Sequence, residues 1–195
     1  MFTGIVTAVG RVATAQSRGS GRRIAVEVPA RFMNGVKRGD SIACSGVCLT
    51  VAAKKSGRFD ADLSAETLRA TTAGGWNAGT RINLEKALTL SQPLGGHLVS
   101  GHVDGVAQLK ARKRAGRFQE FQFAVSPDLR RYIARKGSVC LDGISLTVNK
   151  INGLRFTLML VPHTLGHTTL GQLRPGDRVN LEVDLVARYL EQLQS

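Results

Sequence analysis

Two stretches of the chain, Gly46-Val47-Cys48-Leu49-Thr50-Val51 and Gly143-Ile144-Ser145-Leu146-Thr147-Val148, match each other at a distance of 97 residues. At the same offset, residues 66–85 align without a gap to residues 163–182 and are identical at 10 of 20 positions. One offset shared by separate blocks indicates an internal duplication. The sequence therefore predicts two tandem homologous domains of just under 100 residues, each long enough for a modest core of its own.

Short β-rich segments recur between turn signals in both copies, a spacing typical of a barrel or a sandwich. In the first copy they span residues 5–12, 23–28, 41–44, 48–52, 59–63 and 81–84. Helical signal is limited to a turn near residues 30–36 and a segment opening at Ser64, matched by Pro162 at the first turn in the second copy. Closed barrels are favoured because closure removes exposed strand edges.

The predicted fold class is all-β, with two tandem barrels followed by a C-terminal α-helix. We expect the first barrel in residues 1–96, the second in 97–184 and the helix in 185–195, with the barrels joined through the Pro- and Gly-containing segment 88–96. The helix has one apolar stripe, formed by Leu185 or Val186, Tyr189 or Leu190, and Leu193. A helix this short is marginal alone in water, so it must pack on its own barrel or against other subunits.

The composition fits a globular protein. Of 195 residues, 43% are hydrophobic, and no run approaches the roughly 18 apolar residues of a membrane span. The chain opens without the charged region and cleavage site of a secretory signal, so a cytoplasmic location is expected. Its three cysteines, Cys44, Cys48 and Cys140, are an odd number without zinc-site spacing, and imply neither a disulfide framework nor a metal.

The charge balance is strongly basic, with 27 basic against 14 acidic residues, and dense patches lie at residues 18–23 and 110–117. Such a surface attracts anions. Nucleic-acid binding usually comes with a recognisable module and interleaved aromatic residues, and only Phe118 lies beside the second patch. We therefore expect no nucleic-acid or membrane partner. A basic nucleic-acid-binding barrel stays as a third class of function, which salt-sensitive RNA retention would support.

Reactive or bulky side chains are distributed unequally between the two copies. The matched pairs that differ most are Cys48 and Ser145, His102 and Ile5, Asp184 and Ala87, and Phe2 and Val99. If two like molecules bind in two like pockets, this asymmetry would let one occupant act as a donor and the other as an acceptor. That hypothesis requires a site at which the two molecules bind.

Two of these residues are candidates for chemistry. His102 lies in a strand-like segment that contains Gly101, and it is packed, solvated or catalytic; with a pKa near neutrality it could take or give a proton. Cys48 is either a buried inert thiol or a nucleophile. Matched hydroxyls accompany them and would suit recognition of a heteroaromatic ring or a polyol, although threonine is also a common strand residue: Ser41 with Ser138, and Thr50 with Thr147.

Several longer motifs resemble those of the riboflavin synthase family, and the resemblance covers essentially the whole chain. They are residues 1–6, 95–105, 136–138, 142–148 and 162–165. The resemblance implies two Greek-key barrels that bind lumazine. It also implies a dismutation in which one 6,7-dimethyl-8-ribityllumazine gives a four-carbon unit to a second, yielding riboflavin and 5-amino-6-(D-ribitylamino)uracil. It implies no cofactor and no metal.

The resemblance further implies a homotrimer with the C-terminal helix at the threefold contact. Each active site would form between the first barrel of one subunit and the second barrel of a neighbour. Lumazine synthase is a candidate further partner.

Carried over onto matching positions, the resemblance implies that Ser41, Cys48, His102 and Asp184 are catalytic or near-catalytic. The substrate's 7-methyl group is acidic, so a base must generate a carbanion while a nucleophile, water or Cys48, adds to the other ring. His102 and Asp184 are the candidate proton carriers. The residues implied to line the two pockets are Phe2, Gly4, Ile5, Val6, Cys48, Leu49, Thr50, Asp62, Leu63, Ser64, Ala65, Glu66, Thr67, Gly101, His102, Val103, Lys136, Ser145, Leu146, Thr147, Val161, Pro162, His163, Thr164, Leu165 and Gly166.

One departure concerns His163, which stands where some members carry Glu and where the first copy has Glu66; it leaves the ribityl contacts of the second pocket undefined. The rival interpretation is a non-catalytic lumazine or flavin carrier on the same duplicated barrel. Such carriers tend to lose the reactive residues and one pocket, whereas this chain keeps Ser41, Cys48, His102, Thr147 and Asp184.

Overall fold

The computed structural model describes residues 1–194, which form two closed antiparallel barrels and a C-terminal helix. The strands of the first barrel are β1 (Ala8–Arg18), β2 (Gly21–Glu27), β3 (Ser41–Cys44), β4 (Val47–Lys55), β5 (Arg58–Leu63) and β6 (Arg81–Lys86). Those of the second are β7 (Gly105–Ala115), β8 (Phe118–Ala124), β9 (Ser138–Leu141), β10 (Ile144–Asn152), β11 (Arg155–Leu160) and β12 (Arg178–Val183). Every strand of the second barrel begins 97 residues after its counterpart, which confirms the duplicated all-β fold.

Both barrels close in the same Greek-key order, β1-β2-β5-β4-β3-β6 and β7-β8-β11-β10-β9-β12. The hairpins β3–β4 and β9–β10 turn through two residues with positive φ, Ser45-Gly46 and Asp142-Gly143. Positive φ at both central residues is the geometry of a type I′ turn, whose twist matches that of the flanking strands. These two turns meet where the barrels touch, since a Cβ on Gly46 would lie 2.8 Å from the Gly143 nitrogen.

Each barrel has its own apolar core. Along β4, Val47, Leu49 and Val51 point inward, while Cys48 is half-buried and Thr50 is exposed. This alternation has the period of a strand with one face in the core. The second core is richer in aromatic rings, with Phe121, Phe123 and Phe156 fully buried. The polar residues of β4 and β10 therefore face the outside of each barrel.

Short helices connect the strands: α1 (Ala65–Ala70), α2 (Pro127–Arg130), α3 (Pro162–His167) and the 3₁₀ turns Ala30–Met33, Thr72–Gly75 and Thr169–Gln172. The Ser64 hydroxyl accepts a hydrogen bond from the Thr67 nitrogen at 3.1 Å, and Pro162 is the first residue of α3. Both predicted helix starts are confirmed. No helix within residues 1–194 has the length and apolar content needed to cross a membrane.

The C-terminal helix α4 (Leu185–Gln194) packs on the second barrel through polar contacts. Arg188 pairs with Asp104 at 2.9 Å, and Glu191 contacts Tyr132 and Arg131. The apolar stripe is turned away from these contacts and stays exposed at Val186, Tyr189, Leu190 and Leu193. The last residue of the predicted helix, Ser195, lies outside the described residues.

The start of β1 differs from the sequence prediction, because the strand begins at Ala8 and not at Ile5. The preceding segment crosses to the other barrel, where the Gly4 carbonyl accepts a hydrogen bond from the Ser145 nitrogen at 2.8 Å. The matched segment crosses in return, and the Gly101 carbonyl accepts from the Cys48 nitrogen at 2.8 Å. The barrels thus exchange short segments, and the boundaries 1–96, 97–184 and 185–195 stay a prediction.

Reciprocal side-chain contacts reinforce this junction. The Asn83 amide donates to the Asp142 carbonyl at 2.9 Å, and the matched Asn180 amide donates to the Ser45 carbonyl at 2.8 Å. The Asn83 and Asn180 oxygens accept from Thr169 and Thr72 nitrogens, respectively. Both asparagines are buried, so each satisfies backbone groups of the opposite barrel that water cannot reach. The two barrels are therefore joined by a specific, nearly twofold-symmetric interface.

Candidate active site

The first candidate site lies on the outer face of β4. Cys48 and Thr50 point outward, and Ser41 of β3 pairs directly with Thr50 across the strands. Paired residues of an antiparallel ladder share a face, so these three polar side chains lie together. We call this group, with the elements added below, the first site.

The end of β5 and the start of α1 form one edge of the first site. Because Val51 pairs with Ala61, Thr50 lies beside Asp62, whose carboxylate forms an ion pair with Arg23. The hydrogen bond from Arg23 holds the pKa of Asp62 below its ordinary value. Buried Leu63 and the capping residue Ser64 lead into α1, which carries the pocket positions Ala65, Glu66 and Thr67.

A segment from the second barrel completes the first site. A Cβ on Gly101, whose φ is +79°, would lie 2.7 Å from the Cys48 Cβ, so only glycine permits this approach. Val103 packs against the core of the first barrel, whereas His102 is exposed. Burial raises the pKa of Asp104, and the hydrogen bonds from Val183 and Arg188 and the nearby His102 oppose this effect. The structure therefore brings residues 101–103 beside Cys48 within one chain.

The second site has the same construction on β10. Its outward residues are Ser145 and Thr147, and Thr147 pairs with Ser138. Its edge is the segment Val161–Gly166, which runs from the end of β11 into α3. The first barrel contributes Gly4, Ile5 and Val6: a Cβ on Gly4 would lie 2.7 Å from the Ser145 Cβ, and Val6 packs on the second core beside Leu146.

The two sites differ in charge at their helix edges. In the first, Glu66 forms an ion pair with Arg69. In the second, the rings of His163 and His167 stack with their centroids 4.1 Å apart. All four side chains are exposed. A ligand at the first site would therefore meet an acidic and a basic side chain at the helix edge, whereas a ligand at the second site would meet two imidazoles.

Two buried glutamates hold the exchanged segments. Glu85 accepts hydrogen bonds from the Thr3 nitrogen, the Thr3 hydroxyl and the Gly4 nitrogen at 2.7, 2.6 and 3.0 Å. Glu182 does the same for Ser100 and Gly101. Burial raises the pKa of Glu85, and the hydrogen bonds from Thr3 and Gly4 oppose this effect. These carboxylates fix the crossing segments and thereby the shape of both sites.

Lys136 is near the second site and has an unusual backbone. Its φ is +67°, where the matched residue of the first barrel is Gly39, and its nitrogen donates to the Val148 carbonyl at 2.8 Å. A non-glycine residue in this region is strained, and such strain is concentrated at functional sites. The exposed side chain lies near the end of β10 that carries Thr147.

Three further predicted residues have the following surroundings. Phe2 is fully buried with Val99 and Cys140 at the junction. Asp184 accepts a hydrogen bond from the Val186 nitrogen at 3.0 Å, in the first turn of α4. Ile5 also lines a cavity of about 510 Å³, between the first barrel and the segment that joins the barrels.

Sequence reasoning missed His97 as a site residue. Its Nδ1 lies 2.7 Å from the Ser145 hydroxyl, and the imidazole is buried. Burial lowers the pKa of His97, and the nearby charge of Asp184 opposes this effect. His97 lies within the motif 95–105, which is the signal that could have marked it.

The remaining thiols are unsuited to chemistry. Cys44 and Cys140 are buried, and burial raises the pKa of both. Cys48 is the half-buried cysteine of the three. Within residues 1–194, no three His, Cys, Asp or Glu side chains come together in a way that could hold a metal ion.

Fold and site together define a class: a tandem-barrel protein with two matched but unequal candidate sites on its barrel walls. The lumazine binding domain family matches residues 3–87 and 100–184. Riboflavin synthase of Photobacterium phosphoreum is 44% identical over 193 residues, covering 99% of this chain and 88% of that protein. The Brucella abortus riboflavin synthase is 43% identical over 198 residues, with 99% and 98% covered. The chain belongs to the lumazine-binding riboflavin synthase family.

Solved structures agree on the fold. The crystal structure of LumP complexed with riboflavin superposes with a TM-score of 0.86 at 24% identity, covering 94% of this chain and 99% of that one. LumP complexed with 6,7-dimethyl-8-(1'-D-ribityl) lumazine gives a TM-score of 0.85 at 22% identity.

Proposed function

We propose that this chain is a transferase that catalyses the dismutation of two 6,7-dimethyl-8-ribityllumazine molecules to riboflavin and 5-amino-6-(D-ribitylamino)uracil. The observation that carries this proposal is the pair of matched sites that differ in their reactive residues, Cys48 against Ser145 and His102 against Ile5. One compound must be bound twice in different roles, and such a pair of sites does this. The two products together contain every atom of two substrate molecules, so no oxidant, cofactor or metal enters the balance.

His102 is the proton carrier in this proposal. It is exposed on the segment that passes Cys48, so it can approach a ring bound over the first site. Asp184 is the second candidate proton carrier, and the Val186 nitrogen donates a hydrogen bond to one of its carboxylate oxygens. Cys48 or a water molecule adds to the acceptor ring, and Ser41 and Thr50 bind its polar groups.

Holding the two rings together supplies much of the acceleration. Within one chain Cys48 and Ser145 lie on the walls of different barrels, and each is met by the crossing segment of the opposite barrel. In this proposal a neighbouring subunit supplies the second ring. This supports the homotrimer, in which the first site of one subunit faces the second site of the next.

The C-terminal helix supports the same assembly. Its exposed stripe of Val186, Tyr189, Leu190 and Leu193 is the kind of surface that is buried in a helical subunit contact. Leu190→Asp should dissociate the trimer and abolish riboflavin formation, with mass measured by analytical ultracentrifugation. An unchanged trimer in Leu190→Asp would place the contact elsewhere.

The protein acts in the cytoplasm in this proposal, with lumazine synthase as a candidate partner. The net charge of +13 would favour an acidic partner surface. Salt-sensitive co-sedimentation of the two proteins tests this association; their separate sedimentation at low salt would contradict it.

The site assignment is tested by incubating the protein with the lumazine alone and following riboflavin fluorescence. Cys48→Ser introduces the residue of the second copy and so tests the thiol itself, and His102→Gln removes the proton carrier while keeping a polar side chain. Both variants should slow turnover, His102→Gln by about 100-fold or more, the usual contribution of a general acid or base. If the lumazine spectrum shifts on binding but riboflavin never forms, the chain is a carrier.

A further inference from the structure

His97 makes a contact that exists in the second site alone. It is 8% exposed, its backbone nitrogen donates to the Thr3 carbonyl at 3.1 Å, and its Nδ1 lies 2.7 Å from the Ser145 hydroxyl.

The matched residue of the first site is held differently. Cys48 packs against the apolar cluster around Phe2, and its thiol has no hydrogen-bond partner among residues 1–194. Ser145 is half-buried, and its nitrogen already donates to the Gly4 carbonyl. The hydroxyl of Ser145 is thus oriented by one neighbour, the imidazole of His97.

The other ring nitrogen of His97 decides which atom carries the proton. Nε2 is buried without a hydrogen-bond partner in the part of the chain that the structure describes. A buried N–H without an acceptor is rarer and costlier than an unpaired acceptor. Burial also lowers the pKa of His97, which favours the neutral ring. The neutral tautomer with its proton on Nδ1 leaves only a lone pair unpaired at Nε2.

We propose that His97 is a positioning residue of the second site, which donates its Nδ1–H to the Ser145 hydroxyl and so leaves the Ser145 proton free to donate to the ligand. A hydroxyl fixed in this way recognises a hydrogen-bond acceptor, such as a ring carbonyl oxygen or a pyridine-type ring nitrogen of a pteridine. This role presupposes the proposed function, because it takes the second site to bind a lumazine. The two sites then present different groups at one matched position, an oriented O–H donor and a thiol.

The tautomer is measured directly by ¹⁵N NMR of the ligand-free protein labelled at its histidines. The chain has four histidines, and the His97 signals are assigned by their loss in His97→Asn. The proposal expects a pyrrole-type Nδ1 and a pyridine-type Nε2 at pH 7. A protonated Nε2 with a bare Nδ1, or a fully protonated ring, would overturn it.

Binding variants test the consequence for the ligand. His97→Leu removes the donor at similar size, whereas the amide of His97→Asn can replace the Nδ1–H. Riboflavin is titrated into each variant in a Gly101→Ala background. This substitution weakens ligand binding at the first site, so that differences between the variants report on the second site. His97→Leu should weaken binding by about 10-fold, the value of one hydrogen bond, and His97→Asn should restore most of it.

The Ser145→Ala background is the matched control. If His97 acts through the hydroxyl, His97→Leu should cause no further loss once Ser145 is alanine. The proposal would be contradicted if His97→Leu bound riboflavin as tightly as the parent. It would also be contradicted if His97→Leu lowered the affinity by the same factor when Ser145 is already alanine. Failure of the proposed function has a different signature: the parent makes no riboflavin, while the tautomer is still read from the NMR spectrum.

Discussion

Phe2 and Val99 exchange both of their backbone hydrogen bonds, Phe2 N to Val99 O at 2.7 Å and Val99 N to Phe2 O at 3.1 Å, although 97 residues separate them. They occupy matched positions in the two repeats, so this bridge lies on the nearly twofold axis of the chain. Gly4 and Gly101, two residues further along, contact Ser145 and Cys48. The same short bridge therefore positions the crossing segments of both sites.

Loss of the Phe2 ring should disable the sites beyond its effect on stability. Phe2→Ala removes a fully buried side chain and should cost about 3–5 kcal/mol in the free energy of unfolding, measured by urea denaturation. Phe59→Ala, equally buried inside the first barrel, is the control. At a temperature where both variants are folded, Phe59→Ala should retain most riboflavin formation and Phe2→Ala should lose it. Equal activities would deny Phe2 a role in positioning.

The two crossing glycines should be intolerant of a methyl group. Gly101→Ala places a Cβ 2.7 Å from the Cys48 Cβ at a φ of +79°, so the segment must move and ligand binding at the first site should weaken by about 10-fold or more. Gly116→Ala has a φ of +62° but no atom within 4 Å, so it reports backbone strain alone. Calorimetric titration with riboflavin compares them. Similar affinities in the two variants would mean that close approach is unimportant.

Substitutions of the reciprocal asparagines Asn83 and Asn180 should have coupled effects on the free energy of unfolding. Asn83→Ala leaves the Asp142 carbonyl and the Thr169 nitrogen without their partner, and should cost about 2–4 kcal/mol in the free energy of unfolding. Asn77, whose amide contact is exposed, is the control, and Asn77→Ala should change stability by about 0.5 kcal/mol or less. The double variant with Asn180→Ala should depart from additivity, because both residues hold one interface. Strict additivity would indicate independent contacts.

Asp142 should make stability depend on pH. Burial raises the pKa of its carboxyl from 3.8 to about 7, so the folded protein binds this proton more tightly than the unfolded chain. The stabilising contribution of this proton is complete below about pH 4 and declines as pH rises to about 7, because the carboxylate must then be buried as an anion. Urea midpoints at pH 5 and pH 8 measure the change.

Asp142→Ser is the matched variant, since Ser45 occupies the same position in the first barrel and its hydroxyl accepts from the Asn83 nitrogen at 3.1 Å. The serine variant should lose the pH dependence due to this group and gain stability relative to the parent at pH 8. An equal or steeper loss of stability between pH 5 and 8 in the serine variant would show that Asp142 is not buried as a titrating acid.

Local patterns were sufficient to predict the strands and the barrels. The alternation of buried and exposed residues along β4 and the glycine-containing turns are short-range signals. Because the sequence is duplicated, each of these signals occurs twice. The cap at Ser64 and the helix start at Pro162 were predicted for the same reason. The comparison of the repeats indicated Cys48 and Thr50 as candidates, whereas the helix edges were indicated by the resemblance alone.

The exchange of segments could not be read from the sequence. A backbone hydrogen bond from Ser145 to Gly4 joins residues 141 positions apart and leaves no periodic trace. His97 was missed as a site residue because its contact with Ser145 joins residues 48 positions apart and leaves no periodic trace either. The role of Asp184 in chemistry stays a prediction, and the structure adds that its carboxylate accepts a hydrogen bond from the Val186 nitrogen at the start of α4. Such contacts depend on how the barrels dock, which no local propensity records.

The central claim is that two molecules of one substrate react on this chain without any other reagent. The direct measurement is to incubate the purified protein with 6,7-dimethyl-8-ribityllumazine alone and quantify all three compounds by chromatography over time. We expect one riboflavin and one 5-amino-6-(D-ribitylamino)uracil for every two lumazines consumed. Lumazine that stays bound and unconsumed, or riboflavin that appears only after another reagent is added, would contradict the claim.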